Sequence, residues 1–80
     1  MNLDEIYAEP LNVNPGDKVK LWVYSYGDTR LFHVMYILDG HYQDQKFIVC
    51  RYYGKVKQWW HHEMIEEKDF KLRRERAKKE

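Results

Sequence analysis

Eighty residues allow one domain, which buries roughly 60% of its unfolded-state surface and leaves no room for a separate catalytic lobe. A formal net charge of +1 lacks the basic excess of a dedicated nucleic-acid binder, and no apolar run approaches the ~18 residues that span a bilayer, so membrane association is not expected. Three Trp, seven Tyr and three Phe are more large rings than so short a chain can bury beside its Val, Ile and Leu, so several are expected on a surface where something else packs.

Taken in chain order, residues 1–14 are polar, broken by Pro10, and read as an arm that docks through Ile6, Tyr7 and Leu11. Asn14-Pro15-Gly16-Asp17 is a turn signal, because Pro fixes φ, Gly accepts positive φ, and the flanking Asn and Asp bond the local backbone. A first strand over 18–26 should place Val19, Leu21 and Val23 on the core side and Lys18, Lys20, Trp22, Tyr24 and Tyr26 on the other. After a turn at Tyr26-Gly27-Asp28-Thr29, residues 30–38 are apolar on both parities, as for a central strand covered twice. Asp39-Gly40 signals a turn, 41–45 an exposed extension of that hairpin, and 46–53 a third strand. Gly54-Lys55 should turn the chain into a fourth strand over 56–60.

The rest is charged. A single helical turn at 63–66 and a short closing strand at 69–73 are the economical reading, and Arg73 to Glu80 is expected as a frayed helix or disordered tail, with no apolar face to bury. Five short strands at spacings of roughly 8 to 12 residues point to an all-β fold, a small SH3-like barrel over 15–72, with the arm at 1–14 and the tail at 73–80. The lone Cys50 lies in the apolar run Phe47-Ile48-Val49-Cys50; it reads as a buried thiol and fits a reducing cytoplasm.

The order Gly16-Asp17-x-Val19-x-Leu21, then Phe32-His33-Val34-x-x-Ile37, then Ile48-x-Cys50-x-Tyr52-Tyr53-Gly54-Lys55, then Trp60 and Met64-Ile65 resembles the YodC-like family of small bacterial and phage proteins. The resemblance covers about residues 15–67. Tyr52-Tyr53 stands in place of the family's Trp-Phe pair, its Ser-Gly-Gly-Pro is replaced by the longer 22–29 segment, and its Asp before the Gly-Lys turn is absent. These are structural residues, so the resemblance implies a barrel and transfers no activity.

The richest functional pattern is Arg51-Tyr52-Tyr53 followed by Lys55-Val56-Lys57-Gln58-Trp59-Trp60. Neighbouring strand residues face opposite ways, so one tryptophan should enter the core; Trp59, which shares parity with Lys55 and Lys57, is expected outside. Two binding readings follow. A protein-interaction module, such as a phage or mobile-element accessory, would use Trp22, Tyr24, Tyr26 and Trp59 as interface anchors, and near-neutral charge favours it slightly. A nucleic-acid module would set Lys18, Lys20, Arg51, Lys55, Lys57 and the tail against phosphates while rings stack on bases. Either tolerates self-association. His33, His41, His61, His62 and Cys50 lack metal-ligand spacing, and no nucleophile, carboxylate-pair or phosphate-loop motif is present, so neither a metal, a cofactor nor catalysis is expected.

Overall fold

A computed structural model describes residues 2–42 and 45–79; of the extension expected at 41–45, residues 43–44 lie outside the described residues. The chain runs α1 (Leu3–Ala8), β1 (Lys18–Val23), β2 (Asp28–Tyr42), β3 (Gln45–Tyr53), β4 (Trp60–Glu66) and α2 (Glu67–Lys78). The strands form one antiparallel meander in the order β1-β2-β3-β4. This is a β-rich fold with two short helices, and the sheet is open: the expected closed barrel of five strands does not form.

The start of the sheet follows the sequence signals. Gly16 takes φ 96° in the Asn14–Asp17 turn, Asp17 Oδ2 accepts the Asn14 amide at 2.8 Å, and Gly16 N and Val34 O continue the pairing of β1 with β2 at 2.8 Å. Alternation then sets the faces. Leu21, Val23, Phe32, Val34, Ile48, Cys50 and Ile65 are buried on one side, joined by Leu11 and Val13 of the arm and Phe70 of α2. Tyr24 to Gly27 form the turn, so the first strand ends three residues earlier than expected. β2 continues through Asp39 and Gly40, where the sequence signalled a turn, and its register with β3 shifts between Asp39 and Tyr42. It is covered on one face: Leu31, Met35 and Tyr36 stay exposed.

The second half departs most from expectation. Residues 54–59 are a loop, β4 occupies 60–66, and 67–78 is one helix, so neither a strand at 56–60 nor a closing strand at 69–73 exists. Gly54 is the reason the loop can be so tight. Its amide bonds Trp59 O at 2.9 Å, and a Cβ there would overlap the Lys57 carbonyl and the His61 ring. Acidic Glu67 and Asp69 in the first turn of α2 and basic Arg76 and Lys78 in the last complement its dipole.

α2 stands where a barrel would have its closing strand. Phe70, Arg73 and Ala77, at helical spacing, are buried against the sheet. The 73–80 segment is therefore docked helix through Lys78 rather than a frayed or disordered tail, and a domain boundary at 72 would cut through it. Its cations dock by finding oxygens. Lys71 Nζ donates to Tyr7 O at 2.8 Å, and Arg74 Nη1 to Leu11 O at 2.6 Å, which pins the arm. Arg73, 4% exposed, donates from Nε to Trp22 O on β1 at 2.7 Å and from Nη1 to Glu63 on β4. One guanidinium thus ties together the two outer strands of the open sheet.

Candidate binding face

With the helices and the arm on one side, the other side of the sheet is left uncovered. Register places its residues in rows. Lys18 pairs with His33, His33 with Arg51, and Arg51 with His62, so a line of basic side chains crosses all four strands, about 14 Å from first to last. On one flank Lys20 pairs with Leu31 and Tyr53 with Trp60; on the other Tyr36 pairs with Val49 and Val49 with Met64. Leu31, Tyr36, Tyr53, Trp60 and Met64 are all exposed.

Trp60 is the hub of this face. The Arg51 guanidinium lies over its ring, 4.4 Å from Cζ to the centroid, and the rings of His33 and Tyr53 meet it edge-on at 5.1 and 5.6 Å. Arg51 Nε is buried with no hydrogen-bond partner, so the line holds a donor that the protein itself does not satisfy. Glu66, at the far end opposite Phe47, is the one carboxylate in register on this face among the described residues. Other carboxylates lie behind: Glu63 and Asp69 pair with Arg73, Glu67 with Lys71 and Glu75 with Lys78. The open face thus sets Lys18, Lys20 and Arg51 against a single carboxylate, while the carboxylates behind are balanced by cations of α2.

The residues singled out from sequence divide three ways. Lys18, Lys20 and Arg51 do share the open face. Trp22 does not: it is buried, with the Arg76 guanidinium 4.3 Å from its ring. Tyr24 is exposed but lies in the turn, its hydroxyl donating to Asp69 at 3.1 Å, and Tyr26 packs half-buried on the core with Tyr52. Burial and then Asp69 raise the Tyr24 hydroxyl above its ordinary value. Lys55, Lys57 and Trp59 sit on the 54–59 loop, where Lys55 pairs with Asp28 at 3.6 Å and Lys57 Nζ lies 5.5 Å from the Trp59 ring. Trp59 is 56% exposed as expected, but Trp60 is not a core residue: it is 40% exposed, because β4 starts at Trp60 and gives it the parity of His62 and Met64, opposite to that of buried Ile65. Leu31, His33, Tyr53, Trp60, His62 and Met64 were missed; the alternation of His62 and Met64 with buried Ile65 was the available signal.

His61 and His62 point to opposite faces, His61 stacking on Tyr52 at 5.3 Å. Among the described residues no three His, Cys, Asp or Glu side chains are grouped to hold a metal. Cys50 is fully buried; burial, with a smaller push from Glu63, lifts its thiol to about 12, so it stays protonated and unreactive at neutral pH. No helix among the described residues is long and apolar enough to cross a membrane. No family model, curated protein or solved structure matches this chain.

Proposed function

We propose that this protein is a non-catalytic module that binds a nucleic-acid strand across the open face of its sheet. The observation that carries the reading is the in-register line Lys18–His33–Arg51–His62 beside the exposed rings of Tyr53 and Trp60. Lysine and arginine neutralise phosphates, and aromatic planes stack on bases of any sequence, so the two rows together suit a polyanion that carries rings. Near-neutral net charge does not weigh against such a ligand at this face, because Glu66 is the one carboxylate in register beside these cations among the described residues. Affinity should fall steeply from low to physiological salt, and Lys18→Ala should flatten that dependence by about one unit of log–log slope. A shallow salt dependence would sink the reading.

A protein partner is the second reading, favoured by Leu31, Tyr36 and Met64, apolar groups that a phosphate backbone does not use. It expects retained binding at high salt, and a second copy of the chain as occupant would show as a dimer in sedimentation. In both readings the cytoplasm is the proposed compartment, on the strength of the buried free thiol of Cys50. The likeness to YodC-like proteins carries no activity into this proposal, because Val19, Leu21, Ile48, Cys50 and Gly54 are core or turn residues.

A further inference from the structure

Beside the basic line the open face holds a cleft of about 280 Å³ lined by Arg30, Leu31, His33, Tyr53 and Trp60. Leu31 supplies an apolar wall. The planes of Tyr53 and Trp60 stand at 81° to one another, so a flat ring entering the cleft stacks on one of them and meets the other edge-on. Arg30 is fixed in place: its Nε and Nη2 both donate to Tyr53 O, at 3.2 and 2.8 Å. That bond uses one fork of the guanidinium. The other fork, Nη1 with the second hydrogen of Nη2, makes no hydrogen bond among the described residues and carries two parallel donors on a rigid mount.

Resting on the nucleic-acid reading above, we propose that this cleft is a pocket for one unpaired base, and that Arg30 selects guanine there. Two adjacent donors call for two adjacent acceptors on a planar edge. Guanine has them in O6 and N7, whereas adenine sets an amino donor beside its N7 and turns a like group toward the arginine. A stacked and paired base cannot enter so small a cleft, so the same geometry requires a single strand or a looped-out nucleotide. His33, which also lines the cleft, stands in the basic line, so a strand whose base fills the cleft has its backbone beside Lys18 and Arg51.

The test uses the full chain and three labelled single strands at low salt: an oligodeoxyadenylate, the same strand with one central guanine, and that strand with 7-deazaguanine in its place. The guanine strand should bind about tenfold tighter than the adenine strand. Loss of N7 should erase most of that gain without any change to the protein. Arg30→Lys, which keeps the charge and removes the fork, should bind all three alike, with its melting temperature recorded to confirm folding. Equal affinity of the parent for guanine and adenine strands, or an undiminished gain with 7-deazaguanine, overturns the pocket while leaving the broader reading intact. If no strand binds at low salt, the broader reading fails and takes the pocket with it.

Discussion

Arg73 carries more of this structure than any other charged residue. Its guanidinium lies over the rings of Phe32 and Tyr24, 5.4 Å from Cζ to each centroid, while its nitrogens reach Trp22 O and Glu63. Truncation to Ala would leave a buried carbonyl without its donor and a void among rings. We expect Arg73→Ala to cost about 2 to 4 kcal/mol in urea unfolding, and Glu63→Gln, at a site one-third exposed, distinctly less. On the other face, Trp60→Ala should weaken the proposed single-strand binding by about 1 to 3 kcal/mol and leave the salt slope unchanged, since in that proposal the ring meets bases and not phosphates. Trp59→Ala should have the smaller effect, because the loop sets it apart from the basic line. Fluorescence titration of the two variants against the parent measures both.

Cys50 gives a pH prediction at the same scale. A free thiol ionises near 9.0 and this one near 12, so above pH 9 the unfolded chain releases a proton that the folded chain keeps. Stability is unaffected below that and falls as pH rises from 9 toward 12. The hydroxyls of Tyr24 and Tyr52 are raised too, both by burial first, and act in the same direction. Cys50→Val should flatten the alkaline decline in thermal midpoint, and a thiol reagent at pH 8 should modify the parent only as fast as it unfolds.

At the scale of elements, α2 is the surprise, and its physics explains why. Its sequence has little apolar content, so a reading that weighs hydrophobic faces leaves it in solvent. Helices can also dock by the carbonyls they satisfy: Lys71, Arg73 and Arg74 each find a backbone oxygen on another element, with their aliphatic stems covering apolar surface. Truncation after Leu72 should therefore lower stability by about 3 kcal/mol or more, and Phe70→Ala should cost about 3 to 5 kcal/mol; an unchanged melting curve for either would contradict the docking. The 54–59 loop behaves similarly. Gly54 signalled a turn, but its length was set by bonds to partners far along the chain, such as the Lys55 amide to the Tyr26 hydroxyl at 3.1 Å.

Across the whole molecule, one side is a mixed layer of arm and helix and the other a bare sheet. Period-two alternation announced the core of β1 and β3 and the turn at Asn14–Asp17, since those depend on near neighbours. Lys18, Lys20 and Arg51 were legible as a basic group for the same reason. Closure was not. Whether four strands bend into a barrel or stay open beneath a helix depends on pairing across the chain and on what fills the last position, and here Arg73 and Phe70 fill it. The make-up of the open face was decided with it: once α2 took one side, register alone brought His33, His62, Tyr53 and Trp60 beside Lys18 and Arg51 on the other. The sequence determined the parity of β1 and β3, the first turn and the surplus of rings, because these are local or compositional. Tertiary structure decided which rings are covered, because that rests on contacts between residues up to 64 positions apart.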